Sequence, residues 1–240
     1  MSTPLLEISG VTKRFGNVAA VDSVSLSIGH GEVVGLIGPN GSGKTTLIHC
    51  ITGALVPEEG QIRFNGEDIT GAAPFRVARK GIARSFQNLE DFPTLSVLDH
   101  LMLATQHGKP VLGRRTPDEG AHQLLSELAL SHMAERPAGE LSYGQRKLLG
   151  IAMARIREPE LMIMDEPTAG VNPVLAQSIV AELRRLATSG QTIILVEHDI
   201  PLVISLVSRL IVMSSGAIIA DGHPDEVRSD PDVREAYFGR

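Results

Sequence analysis

The sequence predicts an α/β fold with a mixed or parallel sheet and an inserted helical subdomain. Residues 33–37 are apolar throughout, as in a strand that is covered on both faces. Strand-like and helix-like runs alternate from residue 161 to residue 220, which favours parallel strands connected by helices. Between residues 93 and 134 the apolar side chains recur at helical spacing instead. We therefore expect one domain of 240 residues, with a core of residues 1–87 and 159–240 and a helical subdomain of about 88–158.

The N-terminal part predicts an antiparallel β subdomain. Residues 5–37 form short strand-like runs separated by turn sequences at 14–17 and 29–31. The apolar strand at 33–37 leads into a loop at 38–43 and a helix at 44–53. A further short strand is expected at 61–64.

Helices predominate in the middle of the sequence and alternate with strands after it. The helical spacing depends on two groups of apolar residues, which are Leu95, Leu98, Leu101 and Met102 and then Leu124, Leu125, Leu128 and Leu130. A loop rich in Gly, Pro and Arg is expected between the two groups, at 108–117. The remaining predicted elements are helices at 142–157, 173–187 and 200–206, and strands at 161–164, 192–196, 210–213 and 217–220.

The composition is that of an ordinary globular protein, with 42% hydrophobic and 21% charged residues. The net charge of -6 argues against a general nucleic-acid binder, which usually carries a basic face. The single cysteine, Cys50, lies in an apolar helical run, and we expect a core residue rather than a reactive thiol. No apolar run approaches the ~20 residues of a membrane helix, and residues 1–4 do not begin a signal peptide. We expect a cytoplasmic protein, and any membrane role would come through a partner.

The most specific motif is the glycine-rich loop between the apolar strand and the next helix. Residues 38–45 match the Walker A pattern G-x-x-x-x-G-K-[ST], with the flanking strand and helix that this motif requires. Glycines let backbone N–H groups wrap phosphates, and the helix N-terminus adds the positive end of its dipole. We expect Lys44 to reach the β- and γ-phosphates and Thr45 to ligate Mg²⁺. The predicted phosphate-binding residues are Gly38, Pro39, Asn40, Gly41, Ser42, Gly43, Lys44, Thr45 and Thr46.

An acidic pair follows the apolar strand at 161–164, as in the Walker B motif of P-loop NTPases. A buried strand delivers Asp165 to the carboxyl end of the sheet, where ligands bind in open α/β folds. We assign Asp165 to Mg²⁺ through water, and Glu166 to the attacking water as general base. The alternative, two solvated carboxylates at a strand end, is disfavoured by the nearby phosphate-binding loop.

His198 follows the predicted strand at 192–196 and would face the same γ-phosphate. A lone histidine is more often structural than functional, but among the eight histidines only His198 lies at a predicted strand end beside the site. The histidines lack convincing metal-ligand spacing with the single cysteine, which argues against a zinc site.

When three further segments are added to the motifs above, the chain resembles the ATP-binding cassette (ABC) family over nearly its whole length. Residues 141–145, Leu-Ser-Tyr-Gly-Gln, are similar to the family's signature motif, and residues 85–87, Ser-Phe-Gln, to its glutamine loop. Residues 169–172 match the D-loop. Phe15 matches the aromatic residue that stacks on adenine; its place in a turn beside Gly16 favours stacking over a core position.

The resemblance implies ATP and Mg²⁺ as cofactors and assigns further roles. Gln87 would contact Mg²⁺, take part in catalysis and link the site to the helical region. Ser142, Gly144 and Gln145 would bind the γ-phosphate of ATP held by the Walker A loop of a second cassette. A helix that begins with a serine cap and a nearby glycine is suited to hold such an anion. ATP would thus close a head-to-tail dimer, and hydrolysis would let it open.

Two departures from the family pattern narrow the resemblance. Tyr143 replaces the usual central glycine of the signature motif, and Asn172 replaces the usual D-loop aspartate, which puts a charge-based coupling of two sites in doubt. With the segments 84–88 and 235–239, both variants are similar to cassettes of branched-chain amino acid importers. The helical stretch is shorter than expected for one of the two cassettes that those importers pair.

These resemblances imply an energy-coupling subunit of a membrane importer, peripheral on the cytoplasmic face of the inner membrane. The implied partners are transmembrane permeases, whose coupling helix would dock near 88–107, a second identical or paralogous cassette, and a substrate-binding protein. No nucleic acid is expected as a partner. A lipopolysaccharide-export-type cassette is the alternative within transport. A soluble cassette of translation or DNA repair is less favoured, because neither a second cassette nor a long coiled coil is present in the sequence.

Overall fold

The computed structural model of the protein describes residues 3–85, 92–105 and 116–238. In chain order its strands are β1 Leu6–Phe15, β2 Val18–Ile28, β3 Val33–Ile37, β4 Glu59–Phe64, β5 Glu67–Asp68, β6 Ile82–Arg84, β7 Leu161–Asp165, β8 Thr192–Val196, β9 Arg209–Ser214 and β10 Ala217–Gly222. Its helices are α1 Lys44–Ile51, α2 Pro74–Lys80, α3 Val97–Thr105, α4 Pro117–Glu127, α5 Tyr143–Arg155, α6 Pro173–Thr188, α7 Ile200–Ile204, α8 Pro224–Ser229 and α9 Pro231–Phe238.

The first sheet has four antiparallel strands in the order β2-β1-β4-β5. Its first hairpin turns at Gly16, where a φ of 59° is of the left-handed kind that glycine adopts without steric cost. This sheet confirms the predicted antiparallel β subdomain and brings Phe15, the last residue of β1, to the turn.

The second sheet has six strands in the order β10-β9-β3-β8-β7-β6. Strands β6, β7, β8, β3 and β9 are parallel to one another, whereas β10 pairs with β9 in the antiparallel direction, so the sheet is mixed. Strands β3, β8 and β7 are neighbours, and the carboxyl ends of parallel strands meet at one edge of a sheet. The segments that follow these three strands are therefore placed side by side.

The side chains of the second sheet divide the core into two clusters. On β7, Met162 and Met164 pack in one cluster with helices α5 and α6, whereas Leu161 and Ile163 pack in the other with α1 and the first sheet. Every residue of β3, β7 and β8 is buried, because both faces are covered. The uninterrupted apolar runs in the sequence have this cause.

The predicted helical region is confirmed in its described parts by α3, α4 and α5, and α3 packs against both α4 and α5. Of the boundaries that differ from the prediction, two have a clear local cause. Helix α1 ends at Ile51, since Gly53 has a φ of 75° that a helix cannot contain. The expected loop at 108–117 ends before Pro117, which opens α4 behind a capping box made by Thr116 and Glu119. The rest of that loop lies outside the described residues, and the subdomain boundaries stay predictions.

Five elements were not predicted: β5, β6, α2, α8 and α9. Strands β5 and β6 have two and three residues, too few for any hydrophobic period to show. None of the helices in the described ranges is long and apolar enough to cross a lipid bilayer.

Candidate functional site

The glycine-rich loop connects β3 to α1, as predicted from the sequence. A Cβ on Gly43, where φ is 103°, would lie 2.2 Å from the backbone oxygen of Ala20, and a Cβ on Gly38 would lie 2.2 Å from the backbone oxygen of Met213. These two glycines are required because the loop packs against backbone on both sides. Gly41 differs, since a Cβ there meets no atom within 4 Å and faces open space.

The N-terminus of α1 is free to accept an anion. Its cap residue, Gly43, provides no side-chain hydrogen bond, and no acidic residue lies in the first turn. The first N–H groups of a helix have no partner within it, so those of Lys44, Thr45 and Thr46 can donate to phosphate oxygens. The side chain of Thr45 is exposed there and can reach a bound ion.

Lys44 is folded over the loop, and its side chain is buried. The Nζ atom donates to the backbone oxygens of Gly38 at 2.7 Å and Pro39 at 3.0 Å. Burial lowers the pKa of the Lys44 ammonium, and the charges of Glu166 and Asp165 oppose that effect. The ammonium thus contacts the phosphate-binding loop and lies within electrostatic range of the acidic pair.

Asp165 lies at the end of β7 and is buried, with 4% of its surface exposed. The Nη2 atom of Arg84 lies 2.6 Å from its Oδ2 atom, and its backbone N–H donates to Ser85 Oγ. Arg84 comes from the adjacent strand β6 and was not predicted as a site residue. The sequence signal for this contact was only an arginine at the end of a three-residue strand, and that strand was itself not predicted.

Glu166 follows Asp165 with a φ of 47°, a left-handed conformation that non-glycine residues rarely adopt. Its N–H donates to the backbone oxygen of Val196, the last residue of β8, at 2.8 Å. Its Oε1 atom lies 2.6 Å from Nε2 of His198. The structure therefore brings together the residue predicted as general base and the histidine predicted to face the γ-phosphate.

Glu197 is a second residue that sequence reasoning missed. Its carboxylate is buried and accepts hydrogen bonds from the N–H and hydroxyl of Thr168, at 2.8 and 2.6 Å, and from the N–H of His198 at 3.2 Å. It therefore connects the segment after the acidic pair to the histidine. A glutamate at the end of an otherwise apolar strand was the signal that could have found it.

A cavity of about 280 Å³ gathers most of the predicted nucleotide-binding residues. It is lined by Phe15, Ala20, Asn40, Gly41, Ser42, Gly43, Lys44, Thr45, Thr46, Glu166, Val196 and His198. The Phe15 ring is half exposed at this cavity, which suits a stacking surface better than a core position. An aromatic face, a phosphate-binding loop, a carboxylate and a histidine therefore surround one space.

The signature segment lies apart from that cavity, and none of Ser142, Gly144 and Gln145 lines it. Ser142 caps α5: its Oγ accepts the N–H of Gln145 at 3.3 Å, while Gln145 Oε1 accepts the N–H of Ser142 at 2.9 Å. The Ser142 hydroxyl proton and the side-chain NH₂ of Gln145 are not used in this capping box and can donate to an anion.

Gly144 has a packing role that the sequence did not show. A Cβ there would lie 2.6 Å from Leu175 Cδ1 and 3.0 Å from Val171 Cγ1, so glycine lets α5 approach the D-loop and α6 closely. Asn172, in that D-loop, caps α6 by accepting the N–H of Leu175 at 3.1 Å. The residue that replaces the usual aspartate thus serves as a helix cap.

Gln87, predicted as a catalytic and magnesium-contacting residue, lies outside the described residues. Within the described ranges no group of three or more His, Cys, Asp or Glu side chains could hold a metal. The Thr45 hydroxyl and the Asp165 carboxylate are the predicted ligands that the structure describes. Both offer oxygen, the donor that Mg²⁺ prefers.

Comparisons with known proteins agree with this geometry. Residues 21–169 match the family model described as ABC transporter, and residues 217–240 match the model described as branched-chain amino acid ATP-binding cassette transporter. The high-affinity branched-chain amino acid transport ATP-binding protein BraF of Pseudomonas aeruginosa is 40% identical, and the alignment covers 100% of this chain and 99% of BraF.

Solved structures show the same fold. A nucleotide-free ATP-binding cassette from an ABC transporter is 38% identical with a TM-score of 0.89, covering 99% of this chain and 100% of that one. A dimeric cassette in a post-hydrolysis state, bound to ADP and phosphate, is 25% identical with a TM-score of 0.81, covering 91% and 98%.

Proposed function

Since this chain belongs to the ABC transporter family, we propose that it is the ATP-hydrolysing, energy-coupling subunit of a membrane importer for branched-chain amino acids or related amides. The observation that carries this proposal is the single cavity shared by Phe15, the glycine-rich loop, Glu166 and His198. The name of BraF and the match at residues 217–240 support the substrate class.

Glu166 is the general base of this proposal. Its main chain is fixed by β8, and its carboxylate lies against His198 at the cavity. From this position it can take a proton from a water that attacks the γ-phosphate. The imidazole of His198 orients the carboxylate and can itself face the γ-phosphate, while Lys44 binds the β- and γ-phosphates.

Thr45 and Asp165 would hold Mg²⁺ together with the nucleotide. A bound Mg²⁺ neutralises phosphate charge and keeps several waters, so it needs few protein ligands. The Asp165 carboxylate already pairs with Arg84 at 2.6 Å, which favours a contact between Asp165 and the ion through water. Gln87 remains proposed as a further contact.

A second cassette, identical or paralogous, completes the proposed ATP site. The donor groups of Ser142, Gly144 and Gln145 lie outside this chain's own cavity, so they are placed to serve a nucleotide that another chain holds. The dimeric cassette bound to ADP and phosphate supports this arrangement in the family. ATP would close the head-to-tail dimer and hydrolysis would reopen it.

The proposed location is the cytoplasmic face of the inner membrane, with the chain held there by its partners. Transmembrane permease subunits would contact the region around 88–107, and a substrate-binding protein would belong to the same system. The names of the matched relatives favour amino acid import over lipopolysaccharide export and over translation or DNA repair.

Glu166→Gln tests the assignment of the general base. We expect a loss of turnover of at least about a hundredfold with ATP binding intact, since amide cannot accept the proton of the attacking water. ATP should then trap a closed dimer, measured by size-exclusion chromatography beside steady-state hydrolysis. Glu7→Gln, an exposed carboxylate on β1, is the matched control.

Hydrolysis at the parental rate by the Glu166→Gln variant would refute the assignment of Glu166 as general base.

The Lys44→Ala variant should weaken nucleotide binding itself. For the transport role, we expect the protein to co-purify with a polytopic membrane protein. In reconstituted vesicles, we expect leucine-loaded binding protein to stimulate its ATP hydrolysis. ATPase activity stimulated by ribosomes or DNA without a membrane partner would contradict it.

A further inference from the structure

Lys147 buries its ammonium group in the interior of the protein, two residues after the signature segment. Only 7% of the residue is exposed. Its Nζ atom donates to the main-chain carbonyl oxygen of Glu166 at 2.8 Å and lies 5.6 Å from the ring centroid of Tyr143. No salt bridge of Lys147 occurs among the residues that the structure describes. A buried ammonium without a counter-ion is costly, so its position suggests a role beyond packing.

The carbonyl that Lys147 contacts belongs to a strained residue. Glu166 has a φ of 47°, and such conformations persist only where the surroundings fix them. Strand β8 fixes one side, through the bond from the Glu166 N–H to Val196. On the other side, the carbonyl oxygen accepts from Lys147 Nζ at 2.8 Å and from the N–H of Ala169 at 3.3 Å, and only the lysine comes from a separate helix. The direction in which the Glu166 side chain leaves the backbone depends on these contacts together.

We propose that Lys147 is a positioning residue for Glu166, through which helix α5 sets the direction of this chain's own general base. The inference rests on the proposed function, because it takes Glu166 as that base. The N-terminus of α5 carries Ser142, which would serve the partner's nucleotide, while Lys147 on its next turn holds the base of this chain. A shift of α5 on binding the partner's nucleotide would therefore reach Glu166 directly, and the two ATP sites would communicate through one side chain.

Tyr143 supports the same ammonium from the other side. Its ring lies within cation–π distance of Nζ. Its Cε1 atom would be 3.1 Å from a Cβ on Gly170, a residue with a φ of 71°. The ring therefore fits between Lys147 and the D-loop, a contact that the glycine more usual at position 143 could not make.

Lys147→Met tests the proposal, because it keeps a long apolar stem and removes the donor. A hydrogen bond to a charged group contributes about 1.5–3 kcal/mol, so we expect kcat to fall roughly ten- to a hundredfold. Nucleotide affinity, measured with a fluorescent ATP analogue, should stay within about twofold of the parent, because Lys147 does not line the nucleotide cavity. Lys147→Arg, which retains a cationic donor, should restore most of the lost rate. Lys80→Met is the matched control, since Lys80 pairs with exposed Glu67 and does not line the nucleotide cavity.

The double variant Lys147→Met with Glu166→Gln separates positioning from a general structural role. A lysine that acts only through the base should leave the ATP-trapped dimer of Glu166→Gln intact. Parental kcat in Lys147→Met, or loss of the trapped dimer in the folded double variant, would overturn the inference. If Lys147→Met does not fold, Lys147→Leu, which also lacks a donor, is measured by the same two criteria. Failure of Glu166→Gln alone to lose activity would instead count against the proposed function.

Discussion

At the scale of single residues, Glu166 and His198 are each held in place by several contacts with the rest of the fold. Glu166 combines a left-handed backbone, a bond from its N–H to β8, a bond from Lys147 to its carbonyl and a 2.6 Å contact with His198. Glu197, behind them, also holds the N–H of His198. Because each group is held by more than one contact, little reorganisation is needed when the reaction develops charge.

Cys50 carries a prediction on pH. Burial raises the pKa of its thiol to about 11, from 9.0. The protonated thiol is favoured in the folded state, so this contribution to stability is complete below about pH 9 and is lost as the pH rises towards 11. Urea unfolding of the parent should show this alkaline loss, and Cys50→Ala should lack that part of it.

The same burial predicts slow chemistry at the thiol. A thiol reagent at pH 8 should label Cys50 only at the rate at which the protein unfolds, since the thiolate is the reactive form. Labelling that rises in parallel with urea-induced unfolding would agree. Rapid labelling of the native protein would show that the thiol is accessible.

At the scale of elements, side-chain caps explain the residues that begin helices α5 and α6. The capping box of Ser142 and Gln145 starts α5 and leaves donor groups on its outer end. Asn172 starts α6 in the same way, by accepting the N–H of Leu175. The D-loop of this chain therefore depends on an oxygen acceptor at 172 rather than on a negative charge.

Substitution at position 172 tests that interpretation. Asn172→Ala should lower the free energy of unfolding by about 1 kcal/mol, since the cap of α6 is lost. Asn172→Asp should preserve stability within about 0.5 kcal/mol, because aspartate caps as well as asparagine. Urea denaturation measures both. Equal destabilisation by the two variants would mean that the cap bond is not what residue 172 contributes.

At the scale of the whole molecule, a charge network joins the helical region to the core. Arg155 on α5 pairs with Glu127 on α4 at 2.6 Å and with Glu182 on α6 at 3.1 Å, and Arg185 contacts both carboxylates. The Glu182 side chain is 5% exposed. Partial burial raises the pKa of the Glu127 carboxyl, but hydrogen bonds from Gln123 and Arg155 outweigh this effect and hold that pKa below its usual range.

Arg155→Met should therefore be strongly destabilising. Removing one partner of a buried ion pair costs about 3 kcal/mol, because Glu182 stays buried with less compensation. The midpoint of urea unfolding should fall accordingly, and Arg136→Met, whose exposed pair with Glu140 contributes at most about 1 kcal/mol, is the control. Similar small effects of both variants would show that Arg185 alone compensates Glu182.

The sequence predicted the parts of the fold and site that have a local signature. The glycine-rich loop, the acidic pair after β7 and the cap of α5 each occupy consecutive residues whose pattern determines their geometry. Arg84 meets Asp165 across 81 positions of sequence, and Lys147 meets Glu166 across 19, so neither contact leaves a local pattern. The same holds for β6, which exists because β7 offers it a parallel edge.

The division of the core by the second sheet has a thermodynamic consequence. Ile163 and Met164 are adjacent in the chain, yet their side chains belong to different packing clusters on opposite faces of β7. Truncating both should give costs that simply add, since the two voids would open into different clusters, whereas truncating Met162 with Met164 should show an interaction energy. Along β7, the costs of truncating two side chains are therefore independent for adjacent residues and coupled for residues two positions apart.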